Sequence, residues 1–226
     1  MYYKGFNKDM TCKGFQYEEG KEYHEEEAII CRKGFHACEY PLDCFNHYNP
    51  AESVFHEVEL GGDARGDKDD TQKCSKSIKV GARLDIAGIV KAAINYTTKN
   101  CVDGKRGGNR SALSGGDQSA LSGGDRSALS GGNRSALSGG NRSALSGGDW
   151  SALSGGYQSA LFGGDWSVLR GGEECKYRGG MWSVFAAEIW GNGQLIGMKT
   201  AVVDGENIKP DTWYQFDGKE FIKSNE

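Results

Sequence analysis

The sequence predicts an α+β N-terminal domain, a parallel two-sheet β-solenoid of octad repeats with about 16 residues per coil, and a β-rich C-terminal cap. Three observations predict it. A Gly-Gly pair recurs every eight residues, ten times, from Gly107 to Gly179. Between the pairs stands nearly the same hexapeptide: Asp or Asn, a variable residue, then Ser-Ala-Leu-Ser, as in Asp125–Ser130. Before and after this tract the pattern changes to mixed strands, a helix and hairpin turns. A strict short period means one structural unit stacked on itself. The expected boundaries are 1–106 for the mixed domain, 107–186 for the repeats and 187–226 for the cap.

The elements follow in order. Gly14-Phe15-Gln16-Tyr17 reads as a short aromatic strand closed by Glu19-Gly20. Pro41 opens a short helix running toward Tyr48, because the missing N–H of proline costs nothing in a first turn. Asn49 stops it, since a residue before proline is pushed out of the helical region. Ser53–Leu60 alternates like a half-buried strand, Gly61–Lys73 is a polar loop, and Ser77–Ala82 is again a strand. Asp85 is a good N-cap for a helix to about Lys99, with Ile86, Ile89, Val90, Ala93 and Ile94 on one face. Beyond the repeats, Trp182–Trp190 and Met198–Val203 read as strands. Asp204-Gly205 and Asp217-Gly218 are hairpin turn signals flanking Thr212–Phe216.

An octad cannot bury its own apolar face. Two octads make a coil of strand, turn, strand, turn, and stacked coils enclose leucines between two sheets. Alternation puts Ser111 and Leu113 on the inner side and Arg110, Ala112 and Ser114 on the outer. Glycine is expected at the corners to supply positive φ. Five coils would rise about 24 Å at ~4.8 Å per layer. Residues sixteen apart then stack in columns. One column holds Arg110, Arg126, Arg142 and Gln158; the other holds Gln118, Arg134, Trp150, Trp166 and Trp182. Two readings stay open for them. Either the arginines are solvated while the indoles pack against other protein, or the columns bind: guanidinium forks suit phosphate or carboxylate, and stacked indoles suit bases, sugars or a partner's aromatics. The candidate binding residues are Arg110, Arg126, Arg134, Arg142, Trp150, Trp166 and Trp182. Departures from the consensus (Tyr157, Phe162, Arg170 and Glu173–Arg178) gather toward the C-terminal end, where capping is expected.

Bulk properties narrow the function classes. The net charge of −4 argues against a general polyanion-binding surface, so any nucleotide site must be a local basic patch and an extended nucleic acid is not the expected partner. No 18-residue apolar run and no signal-like start occur, so a membrane is not expected and a cytoplasmic chain is. The seven cysteines, odd in number, read as free thiols. The period of eight, with half the acidic positions replaced, does not fit a calcium β-roll, and Asp63, Asp67, Asp69 and Asp70 lack the Gly and terminal Glu of a calcium loop. Cys31, His36, Cys38, Cys44 and His47 cluster without the paired spacing of a zinc site. Cys38 with His56 has no nucleophile signature, and Arg65-Gly66-Asp67 is a chance tripeptide. No metal, cofactor or catalytic set is expected.

Lys4–Met10, Gly14–Lys21 and Gly34–Asp43, with Ile86-Ala87-Gly88 and Ile208–Tyr214 further on, resemble an uncharacterised protein family of bacteriophages and prophages. The resemblance implies a phage origin and a bacterial cytoplasm, and carries no activity with it. Combined with the arrayed columns, the expected function is non-enzymatic. It is a phage protein binding a host defence protein or signalling nucleotide, through the repeats or the N-terminal domain, to blunt a CRISPR effector or nucleotide-signalling immunity. One alternative is a virion or assembly component using the solenoid as spacer and homo-oligomer contact. Another follows from Gly34-Phe35-His36 and Tyr3–Phe6, which resemble strand motifs of ADP-ribosyltransferase folds. That resemblance implies His36, a tyrosine and Glu188 around a nicotinamide dinucleotide.

Overall fold

A computed structural model describes residues 1–30, 32–50, 52–66 and 71–224. Two compact units emerge, Met1–Ile89 and Val90–Glu226.

The first unit contains β1 (Tyr2–Asn7), β2 (Thr11–Cys12), β3 (Phe15–Gln16), β4 (Glu22–His24), β5 (Phe35–Cys38), β6 (Ser53–Leu60), β7 (Gln72–Ser75) and β8 (Ser77–Leu84). Six of these form an antiparallel sheet in the order β4-β8-β6-β1-β5-β7, while β2 and β3 make a separate hairpin. Phe6, Phe35, Val54, Val58, Ile78 and Val80 pack with Tyr17 as one core cluster. The short helix at Pro41–Asn46 is 3₁₀, with Leu42, Cys44 and Phe45 buried and Phe45 set against Phe55 at 5.2 Å. The polar loop is shorter than expected, because Gln72 and Lys73 already pair with Cys38 and Ala37. Asp67, Asp69 and Asp70 lie outside the described residues.

The division between units falls within α1 (Ile86–Lys99). Its cap is as expected: the Gly88 N–H donates to Asp85 Oδ1 at 2.7 Å. The strands that follow are β9 (Asp103–Arg106), β10 (Ala112–Ser114), β11 (Ser119–Ser122), β12 (Ala128–Ser130), β13 (Ala136–Ser138), β14 (Ala144–Ser146), β15 (Ala152–Gly155), β16 (Ala160–Phe162), β17 (Val168–Gly171), β18 (Lys176–Arg178), β19 (Val184–Gly191), β20 (Gln194–Val202), β21 (Tyr214–Phe216) and β22 (Phe221–Lys223). Parallel pairing at a 16-residue offset builds a solenoid of about five turns: Leu113 pairs Leu129, Leu129 pairs Leu145, and Leu145 pairs Leu161. Even-numbered β10 to β18 share one seven-stranded sheet with β21 and β22; odd-numbered β9 to β19 share the other with β20.

Two expected boundaries and one expected turn differ. Residues 90–106 belong with the repeats, since β9 pairs with β11 through backbone groups that its Asp-Gly-Lys-Arg sequence does not advertise. The division at 186/187 falls inside β19. Asp204-Gly205 is not a hairpin, because β20 and β21 lie in different sheets; Asp217-Gly218 does close the β21–β22 hairpin.

Leucine drives the stack and hydrogen bonds fix its register. Leu121, Leu129, Leu137, Leu145, Leu153 and Leu161 are all buried, each contributing roughly 1.5–3 kcal/mol. That burial is non-directional. Direction comes from a buried serine ladder: each hydroxyl accepts the N–H of the serine one coil earlier, as Ser143 Oγ does from Ser127 at 3.2 Å. The same hydroxyl faces the Gly124 carbonyl at 3.3 Å. Cys175 takes the place of serine in this ladder with equivalent bonds, and burial pushes its thiol up to about 11. Toward the C-terminal end Tyr177 and Phe185 replace leucine and meet Tyr214 and Phe221, closing the apolar interior.

Candidate binding site

The repeat corner has a different chemistry from the one its glycines suggest. The corner residues with positive φ are the variable ones: Arg110 (62°), Arg126 (59°), Arg134 (57°), Arg142 (58°), Trp150 (55°), Trp166 (51°) and Trp182 (60°). None of the repeat glycines has positive φ. They are glycines because the chain passes too close to itself. A Cβ on Gly139 would stand 2.7 Å from the Cβ of Ser143. One on Gly140 would stand 2.7 Å from Asp125 N and 2.9 Å from Gly124 C, in the coil before.

Asp or Asn precedes the variable residue in most octads, from Asn109 to Asp165 with Tyr157 as the exception, for one reason. Its Oδ1 accepts the N–H of the corresponding residue in the next coil, as Asp125 does from Asn141 and Asn133 does from Asp149, both at 2.9 Å. Only an acceptor oxygen is used, so the two residue types are interchangeable. Along one edge they run Asn109, Asp125, Asn141, which keeps carboxylates from stacking directly. The N–H of the variable residue is also engaged: Arg126 N donates to the Asn141 carbonyl at 2.7 Å. The left-handed geometry, costing roughly 1–2 kcal/mol in a residue with a Cβ, is thus held by bonds on both sides.

The columns expected from the 16-residue spacing exist, but at the corners rather than on the sheet faces. The flat faces carry the alanines of β10 to β15 and the serines that follow leucine there, with Ala112, Ala128 and Ala144 exposed. One edge carries Arg110, Arg126 and Arg142 around a groove of about 620 Å³ shared with Asn109, Asp125, Asn141 and Tyr157. Arg142 Nε donates to Gln158 Oε1 at 3.0 Å, and Gln158 Nε2 donates to Glu174 Oε2 at 2.7 Å. Among the described residues no ion pair holds Arg110 or Arg126.

The opposite edge is aromatic. The rings of Trp150 and Trp166 stack at 5.1 Å and 8°, and the Arg134 guanidinium covers Trp150 at 5.5 Å. A layer spacing near 4.8 Å makes such stacking automatic for aromatic residues one coil apart. Trp150, Trp166 and Trp182 are half-buried, and the Thr97 hydroxyl of α1 lies 3.4 Å from the Trp150 carbonyl. The arginine edge is therefore the more open of the two.

Other sequence candidates have separate employment. Glu188 accepts from Arg170 at 2.6 Å and from Trp190 Nε1 at 3.0 Å. Asp63 accepts from Ser75 at 2.5 Å. Cys38 and Cys44 are buried, and the hydrogen bond of the Cys44 thiol with Cys38, ahead of burial, raises that thiol well above its ordinary value. His56 Nδ1 donates to the Gly81 carbonyl at 3.0 Å. Cys31 and Asp67 lie outside the described residues. Among the described residues no cluster of three or more His, Cys, Asp or Glu is arranged to hold a metal, and no helix is long and apolar enough to cross a membrane.

The serine ladder and the acceptor ladder were both missed in the sequence reading. The exchange of Asp for Asn at one position, from Asn109 to Asp149, was the available signal. Residues 1–92, less than half of the chain, are similar to the family model described as a domain of unknown function (DUF7666). No curated protein and no solved structure matches the chain.

Proposed function

We propose that the protein is a non-enzymatic binding protein: a two-sheet solenoid, closed by a β-rich C-terminal cap, that recognises an anionic surface of its partner along the Arg110–Arg126–Arg142 edge. The observation that carries this reading is a row of guanidinium groups, one coil apart, of which Arg110 and Arg126 have no acidic partner among the described residues. Guanidinium forks match phosphate and carboxylate oxygens in geometry as well as charge. In a chain of net charge −4, such a row is a local exception that steers one kind of partner. The phage setting implied by the sequence resemblance makes a host defence protein or a signalling nucleotide, met in the bacterial cytoplasm, the partner class to test first.

The test is affinity capture from bacterial lysate with tagged wild type and with Arg110→Asn/Arg126→Asn. Asparagine tolerates positive φ, so the substitution removes charge without straining the corner. One enriched protein or nucleotide, lost from the variant and from wild type at high salt, is the expected result. Equal capture by both proteins would overturn the arginine edge as the binding surface. Trp150→Ala/Trp166→Ala should keep the fold while losing the partner if the aromatic edge also contributes.

A further inference from the structure

The first unit holds a second cavity of about 620 Å³, unrelated to the repeats, between β1, the β2–β3 hairpin and the segment Arg32–Cys38. Its wall joins two kinds of side chain. The cations are Lys4, Lys13, Arg32 and Lys33, against Glu25 as the acid. Lys33 is paired with Glu27 at 3.1 Å. That leaves three cations to one carboxylate, and no ion pair among the described residues neutralises Lys13 or Arg32. Lys4 is buried, its ammonium donating to the His36 carbonyl at 2.9 Å. A buried ammonium is retained only where something compensates it. The Phe6 ring lies 5.6 Å from the same ammonium, and these two neutral groups bring it no opposite charge.

The other wall is aromatic. Phe15 is held edge-on by Tyr17 at 4.8 Å and by Tyr23 at 5.3 Å, while 48% of its surface stays open. Tyr48 lies across the Gly5 backbone so closely that a Cβ there would stand 2.5 Å from its ring, and its hydroxyl donates to Cys12 Sγ at 2.8 Å. His36 also lines the cavity. Burial first, then the Lys4 and Lys13 cations, lower its pKa, so at neutral pH the ring is uncharged and donates from Nδ1 to the Gly34 carbonyl at 3.1 Å.

We propose that this cleft is a binding site for a nucleoside phosphate, its phosphates set among Lys4, Lys13 and Arg32 and its base against the Phe15–Tyr17 wall. A free inorganic anion would use the cations and leave the aromatic wall exposed. An apolar ligand would leave the cations unmatched. Only a ligand carrying both a flat ring and negative charge satisfies both walls, and the volume suits one of nucleotide size.

The experiment is calorimetric titration of the full chain with ADP, adenosine and pyrophosphate. Three variants accompany it: Lys13→Asn, Arg32→Ala and, as a control outside both the cleft and the arginine edge, Lys91→Ala at an exposed position of α1. Lys13 has φ 50°, so asparagine is the substitution that spares the backbone there. Lys13 and Arg32 are both exposed, so neither change threatens the core. The expected result is that ADP binds more tightly than either fragment. Each cleft variant should weaken it about tenfold, the worth of one charge-assisted hydrogen bond, with Lys91→Ala unchanged. Absence of ADP binding, pyrophosphate binding as tightly as ADP, or indifference to both cleft variants would overturn the assignment. Equal weakening by Lys91→Ala would mark a general charge effect and would overturn it as well.

Discussion

Replacing Ser143 by alanine isolates what the internal ladder contributes. Ser143 is 2% exposed. Its hydroxyl accepts the Ser127 N–H at 3.2 Å and faces the Gly124 carbonyl at 3.3 Å. The carbonyl keeps a second partner, the Gly140 N–H at 3.1 Å. The Ser127 N–H does not, so alanine leaves one buried donor unsatisfied. An orphaned buried donor costs about 1–3 kcal/mol; a mid-range ~2 kcal/mol is roughly a thirtyfold shift in the folding equilibrium. Ser143→Cys should cost under ~1 kcal/mol, because Cys175 makes the same two bonds at 3.3 and 3.0 Å two coils further along. Ser138→Ala, at an exposed position in β13, serves as the control and should change stability by less than ~0.5 kcal/mol. Urea unfolding of the full chain measures all three, with an unchanged slope required for the comparison. If Ser143→Ala matched Ser138→Ala, the ladder would contribute nothing and the register would have to come from leucine packing alone.

Two further expectations concern the corners and the acidic turn. Arg126 has φ 59°: Arg126→Gly should hold stability or raise it by up to ~1 kcal/mol, whereas Arg126→Val should cost ~1–2 kcal/mol more than glycine; coincident urea midpoints would show that the corner stores no strain. Burial raises the Asp204 pKa, but hydrogen bonds from Asn207 and from the N–H groups of Glu206, Asn207 and Ile208 outweigh it and leave the folded value lowered. Its stabilisation is therefore complete above the unfolded carboxylate value near ~3.9 and drains away as pH falls through the folded one. The stability gap between wild type and Asp204→Ala should stay level from about pH 7 to pH 5 and narrow below about pH 4; a gap independent of pH would mean that the charge on Asp204 is immaterial.

The coil length, the inward leucines and the two columns were legible because a period is local information repeated. Once Leu113 pairs with Leu129, every residue sixteen apart is stacked by the same offset. The α1 cap at Asp85 and the strand Ser53–Leu60 were equally open to reading, since capping and alternation live within a few residues. What the repeat glycines do was misread for a physical reason. Composition signals a turn, but whether Gly140 is there for its φ or for its missing Cβ depends on Asp125 in the coil before, which only stacking brings near. For the same reason Arg126 and Trp150 sit at corners instead of on sheet faces.

The cleft of the first unit lies further still from anything a linear reading reaches. Lys4, Lys13 and Arg32 belong to separate segments with no shared spacing, and they meet because β1 pairs with β6 on one side and β5 on the other. Stacking repeats on themselves needs only the period that is already written in the chain. Choosing strand neighbours in a non-repetitive sheet depends on the competing burial of Phe6, Phe35, Val54 and Ile78 together, an energy that belongs to the assembled core and to no segment of it.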